Sequence, residues 1–489
     1  MKRRCVFTAM LMFLLLVAPS VVRAEKVKVR VFSTTNITQA KITFETMPYN
    51  LIGDGYDVLA TDLTKGDFVD ITPFANEVEV SVNGLKKGSF ESVAFITEVQ
   101  DAYLYITPKG AKQRSYKDDM HVSTQSNKFL KMVNHVEFES YVAGVAQSEI
   151  YGKEVDIFRV QAIISRTWAM RNMEKHKADG YNFCDNVHCQ AYYNRCIRPE
   201  IEQATKESMN EVLVDNNGNL IETPFHSNSG GQTANSEDVW QAKIAYLRSV
   251  QDTFSFGMKQ TYWTKEFATD KWLNYFAKNH KLDINNDSIR NELVNFEQDE
   301  RKSKLMGVPL KTIRKDWNLK STFFSVVYYG DKVVLEGKGY GHGVGLSQEG
   351  AIRMVRLGMD YKDILEHYYT DAQVVKLGAE EEESSYSDTE ENDAAYLAYA
   401  EEIQKAMGND IAYVKEETLS TNGSKKNENN SEMVKVETPK VKDEDVDRAK
   451  RSSSLAERMM KTKEGLDKTT EDNEDSEEYE DEEKWTYVW

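Results

Sequence analysis

Cys184, Cys189 and Cys196 lie within thirteen residues, with His188 directly before Cys189 and His176 a short way upstream. Thiolate and imidazole are the donors zinc prefers, and Cys184, His188 and Cys189 supply three of the four that a tetrahedral site needs. His176 or Cys196 completes the set. The competing reading is a Cys184–Cys189 disulfide, which an oxidising compartment permits. A histidine beside a cysteine serves a metal and adds nothing to a disulfide, so zinc is favoured, with no other cofactor expected. The cysteines do not suggest a nucleophile. Adjacent side chains such as His188 and Cys189 rarely meet in hydrogen-bonding geometry, and no orienting acid is implied.

A second chemical candidate is Glu149. Phe138, Tyr141, Val142 and Val145 recur at helical spacing, and Glu149 closes that helix. A carboxyl there meets the negative pole of the helix, and burial beside Val145 and Ile150 disfavours its charge further. Such a group stays protonated near neutral pH and can give a proton to a glycosidic oxygen and then take one back. On composition alone a solvated surface carboxylate is the commoner fate. Ordinary glycosidases add a second carboxylate. Glu137, Glu139 and Glu154 are at hand, but no spacing singles one out.

Two further segments are rich in polar and glycine residues. HSNSGGQTANSEDVW (226–240) has no apolar period and suits a loop whose backbone at Gly230 and Gly231 approaches a polar polymer. There Ser227, Ser229, Thr233 and Asn235 would offer it hydrogen bonds. A tight polar turn capped by Glu237 or Asp238 is the other reading. GKGYGHGVGLSQEGA (337–351) sets a glycine at every second position from Gly337 to Gly345. A nucleotide loop is rejected, because a hairpin precedes the run rather than a βαβ unit. Alternate glycines allow another backbone or a ligand to come close, with His342, Ser347 and Gln348 directed into that gap.

Together, VEFESYVAGVAQSE (136–149) with VQAIISRTWAM (160–170), CDNVHCQAYY (184–193) and the two polar blocks resemble the stage II sporulation protein D and amidase-enhancer family. The resemblance spans roughly Asn134 to Leu377 and is looser between Trp263 and Ile313. It implies a lytic transglycosylase that cleaves the MurNAc–GlcNAc bond of peptidoglycan, on glycan strands stripped of stem peptides. The 6-hydroxyl of the muramic sugar attacks its own anomeric carbon, leaving a 1,6-anhydro end, so one acid/base suffices. Glu149 falls at the position of the family's catalytic glutamate, and Arg166 lies in a matching block, where it would orient the acid or hold a sugar. Some members bind zinc near the active site. The alternative is a non-catalytic wall-binding module that recruits or stimulates a cell-wall amidase. Two positions depart from the pattern: Asp371 stands where members carry glycine, and Trp168 where they carry tyrosine.

The elements that must hold these residues point to an α+β fold with a mixed sheet. Residues 25–125 alternate short apolar runs with turn signals and read as a β-rich region. The catalytic-domain resemblance gives 126–377 the next domain. There a second helix starts at Asp156 as N-cap and stops at Gly180. Trp263–Leu293 reads as helical, Lys320–Glu336 as a hairpin turning at Gly330-Asp331, and Ser347–Leu357 and Tyr361–Tyr369 as helices.

The chain has 489 residues and a net charge of −18. That balance argues against an electrostatic nucleic-acid partner. Residues 377–489 hold 33 Asp and Glu against 15 Lys and Arg, so the remainder is neutral. The segment 378–489 is therefore expected to be an acidic and mostly disordered tail. Residues 1–24 read as a secretory signal, with Lys2, Arg3 and Arg4 before an apolar run and Val22-Arg23-Ala24 at the cleavage site. Export to a periplasm or cell-wall space follows, with membrane attachment only if the segment stays uncleaved.

Overall fold

The computed structural model describes residues 26–45, 47–240 and 242–378. The expected signal, 1–24, and all but the first residue of the expected acidic tail, 378–489, lie outside them. The chain divides into two compact units, one made of residues up to Tyr141 with Ala178–Cys184, the other of Val142–Lys177 with Asp185 onwards. The first therefore reaches beyond residue 125. The reason is strand Phe129–Glu137, which is hydrogen-bonded to Lys26–Val31 on one side and to Asp119–Gln125 on the other.

The first unit is built of strands, as expected. A seven-stranded sheet runs in the order Phe183–Cys184, Lys26–Val31, Phe129–Glu137, Asp119–Gln125, Ser92–Ile96, Tyr49–Gly53, Asp57–Leu63. A six-stranded sheet packs against it through Phe68–Phe74 and Glu77–Val82. Period-two patterning explains the packing, since the side chains of Val27, Val29 and Val31 turn inward while Lys28 faces solvent. Asn83-Gly84, both at positive φ, close the tight hairpin after Glu77–Val82.

The second unit has two apolar cores. Around the first stand helices α1 (Phe138–Glu149, whose opening residues belong to the first unit), α2 (Val155–Arg171) and α3 (Pro199–Glu207), with two later helices, Gln348–Arg356 and Tyr361–Tyr368. An antiparallel ladder of Glu211–Asp215 with Ala372–Lys376 completes it. α2 differs from its sequence expectation at both ends. It begins at Val155, so Asp156 lies in the first turn and pairs with Arg159 at 2.8 Å instead of capping. It ends at Arg171, because the backbone and side-chain N–H groups of Asn172 satisfy the carbonyl of Trp168 and close the last turn, well before Gly180.

The second core lies within residues 262–338, where a three-stranded antiparallel sheet carries helices Thr269–His280, Asp287–Val294 and Leu310–Asp316. The hairpin at Gly330-Asp331 forms as expected. Trp263, read as opening a helix, sits instead on strand Tyr262–Ala268, because the hairpin strand Lys332–Lys338 offers that segment a full ladder. No helix among the described residues is long and apolar enough to cross a membrane.

Candidate active site

Glu149 is the last residue of α1 and is buried, at 9% exposure. Its Oε1 accepts the Ala191 N–H at 2.7 Å. Burial raises the carboxyl to a pKa of about 7, against the lowering effect of that N–H. The sequence reading of a neutral acid at the helix end therefore has a physical basis. Its backbone is fixed as well, since Gln348 Nε2 donates to the Glu149 carbonyl at 2.9 Å and to Gln161 Oε1 at 3.4 Å. The loop past Cys189 delivers the Ala191 N–H, and Tyr193 N–H donates to Ser148 Oγ one residue before Glu149.

Two of the carboxylates considered as a second group are occupied. Glu137 caps α1, accepting from the N–H groups of Glu139 at 3.0 Å and Ser140 at 2.7 Å. Glu154 pairs with Arg356 at 2.7 Å. Glu139 lies in the first turn of α1.

Arg166 is 1% exposed, and its guanidinium donates to the carbonyls of Glu211 at 3.0 Å and Thr205 at 3.1 Å. It thereby ties α2 to the end of α3 and to strand Glu211–Asp215, an internal position, where the sequence reading has it orienting the acid or holding a sugar.

Most residues of the polar block 226–240 are interior too, although a surface groove was expected of them. Ser229 Oγ donates to Asp252 at 2.7 Å, and Gly231 N–H reaches Ser255 Oγ at 2.9 Å. Gly230 N–H donates to Asn228 Oδ1 at 2.7 Å. Thr233 Oγ1 accepts the Val250 N–H at 2.8 Å, Asn235 Oδ1 accepts that of Ser249 at 3.0 Å, and the Ser227 carbonyl accepts that of Glu349 at 2.9 Å. Ser347 Oγ accepts from Ser229 N–H at 3.2 Å and caps the following helix through Gly350 N–H at 3.3 Å. His342 Nδ1 accepts the Val344 N–H at 3.0 Å, and burial holds its pKa at about 3, so the ring is neutral. These polar groups satisfy one another, which is what buried polar atoms must do.

The glycine run does admit a neighbouring backbone, though in a loop that follows Gly337, the one glycine of the run on strand Lys332–Lys338. A Cβ on Gly339 would lie 2.6 Å from the Asn228 carbonyl oxygen, and one on Gly345 would lie 2.2 Å from that of Pro224. Gly339, Gly341, Gly343 and Gly345 all have positive φ. The partner is thus the segment 224–230 of the same chain.

The cysteine and histidine candidates come close together. The ligand atoms of His176, His188 and Cys189 lie within 4.8 Å of one another, and the Cys189 Sγ to His188 Nδ1 separation is 3.8 Å. Cys184, the last residue of its strand and five before Cys189, is buried. The three thiols are not joined in a disulfide. Neighbouring donors of a tetrahedral zinc with nitrogen and sulfur ligands stand about 3.3–3.8 Å apart, so the trio needs only a small contraction to fit.

Among the buried carboxylates that the sequence reading passed over are Asp252 and Glu349. Asp252, raised by burial to about pKa 6, accepts from Ser229 Oγ and from Tyr368 OH at 2.9 Å. It lies outside every motif block, so nothing marked it. Glu349 is 1% exposed and accepts from Tyr151 OH, Asn228 Nδ2 and Gln260 N–H. It stands inside the GLSQEGA block, where its neighbours drew the attention.

Residues 126–214 match the family model described as stage II sporulation protein. Stage II sporulation protein D of Bacillus subtilis (strain 168) is 27% identical over 268 residues, covering 50% of this chain and 77% of that protein. An uncharacterized protein of Brachyspira hyodysenteriae is 26% identical, covering 51% of this chain and 69% of its own. The amidase enhancer of Bacillus subtilis (strain 168) is 24% identical, over 44% of this chain and 37% of that protein. The chain is thus similar, within residues 126–214 by the family model, to stage II sporulation protein D and to the amidase enhancer.

Proposed function

We propose that this protein is an exported cell-wall enzyme that cleaves the MurNAc–GlcNAc bond of denuded peptidoglycan strands by lytic transglycosylation. The observation that carries the reading is Glu149, a buried carboxyl with a pKa near 7 on a clamped helix end, set within the block that resembles the family's catalytic one. The protonated form gives its proton to the glycosidic oxygen as that bond breaks. The carboxylate then removes the proton of the muramic 6-hydroxyl as its oxygen bonds to the anomeric carbon. The proton count closes on one residue and no water is consumed. Incubating the protein with denuded strands should yield anhydro-muropeptides detectable by mass spectrometry, and Glu149→Gln should yield none while keeping its fold. Wild-type turnover in that variant would sink the reading.

A second reading, a glycan-binding module that recruits or stimulates an amidase, is supported by the similarity to a protein named amidase enhancer. Binding without anhydro products would favour it.

His176, Cys184, His188 and Cys189 are proposed to hold a structural zinc. When bound, the ion would fix the loop that carries Ala191 to Glu149. Metal analysis should find about one zinc per chain, lost in Cys189→Ser.

A further inference from the structure

We propose that Tyr151 is a substrate-contacting residue of this site, an aromatic platform for a pyranose ring held in place by the buried carboxylate of Glu349. The proposal rests on the glycan reading of Glu149 and adds to it a residue that binds sugar.

Tyr151 follows Glu149 by two residues and is 40% exposed, among the most exposed large side chains of its unit. Its hydroxyl is nevertheless turned inward, donating to Glu349 Oε1 at 2.8 Å. Glu349 is held from the other side by Asn228 Nδ2 at 2.6 Å and by the Gln260 N–H at 3.0 Å. The neighbouring side chain, Gln348, grips the carbonyl of Glu149. Two consecutive side chains at the start of helix Gln348–Arg356 thus fasten both ends of the stretch 149–151. Burial and the adjacent Glu349 carboxylate push the tyrosine pKa up, so the hydroxyl keeps its proton and remains a donor.

An ordinary surface tyrosine gains by leaving its hydroxyl in water. Here the polar end is committed to the interior, and the exposed remainder is aromatic ring fixed relative to the acid. Pyranoses with equatorial substituents present a face of axial C–H groups, which is apolar and matches an aromatic surface. A pre-anchored ring loses little freedom when a sugar lands on it, so its contact area is retained as affinity. Placed two residues from a proton donor, it orients the ring whose bond is to break. Glu349 is by this account a positioning residue that acts through Tyr151.

The test measures kcat and KM on denuded glycan strands, and binding of the same strands in a Glu149→Gln background. Tyr151→Ala should raise KM and weaken binding by about five- to tenfold, with kcat changed less. Tyr151→Trp, which restores an aromatic face, should recover most of the loss. Tyr151→Phe and Glu349→Gln keep the ring but loosen it, and should fall between. Thermal melts of each variant separate these effects from misfolding. An active wild type with unchanged KM in Tyr151→Ala overturns the platform and leaves the glycan reading standing. A wild type that neither binds nor cleaves the strands overturns both.

Discussion

Glu149 sets a cost against folding that depends on pH. Its unfolded value is 4.5 and its folded value about 7. Below pH 4.5 both states are protonated and no cost arises. Between 4.5 and 7 the unfolded state ionises first, and stability falls as pH rises; above 7 the loss is complete at roughly 3 kcal/mol. Glu149→Gln, which keeps an acceptor for the Ala191 N–H, should therefore match the wild type at pH 4 and exceed it at pH 8 by up to that amount in urea melts. On the proposed transglycosylase reading, the same proton governs activity. Turnover should decline as pH rises through about 7. Weakening the Ala191 contact by removing Cys189, the proposed metal ligand, should move that limb to higher pH, because the ionised form loses a donor.

At the scale of elements, Arg166 and the glycine run carry the clearest expectations. Arg166→Ala leaves the carbonyls of Thr205 and Glu211 short of donors inside the protein, and should cost about 2–4 kcal/mol of stability. Gly345→Ala forces a Cβ to 2.2 Å from a backbone oxygen at φ +70°, and should destabilise by at least about 2 kcal/mol. The opposite case is Asp371, which takes a left-handed φ of 56° at a position where the family resemblance implies glycine. Asp371→Gly should leave activity intact and be neutral or stabilising by up to about 1 kcal/mol, since the positive φ no longer strains a side chain. Thermal melts decide all three.

For the molecule as a whole, charge and organisation separate cleanly. The net −18 belongs to residues 377–489, and the remainder is balanced. A near-neutral body has no reason to repel an anionic wall. Deleting 378–489 should leave glycan cleavage within about twofold of the full chain; loss of activity in that truncation would place part of the catalytic unit in the tail.

Residue patterning alone determined the β-rich first unit, the helix that ends at Glu149, the hairpin at Gly330-Asp331 and the two helices after the glycine run. These follow from local periodicity and turn chemistry, which act over a few residues and are written directly in the chain. The metal-ligand candidates were legible from residue type and short spacing, whereas Glu149 was singled out by the family resemblance, because its type and spacing alone fit an ordinary surface carboxylate as well. Tertiary structure decided what long-range partners decide. It turned the segment around Trp263 into a strand because a hairpin strand stood ready to pair with it. It drew the hydroxyls of Ser229, Thr233 and Ser347 inward because buried carboxylates and backbone groups needed donors and acceptors. It also brought Glu349, 198 residues away in the chain, onto Tyr151. No local pattern encodes that contact, because the free energy that fixes it comes from burying both residues in one fold.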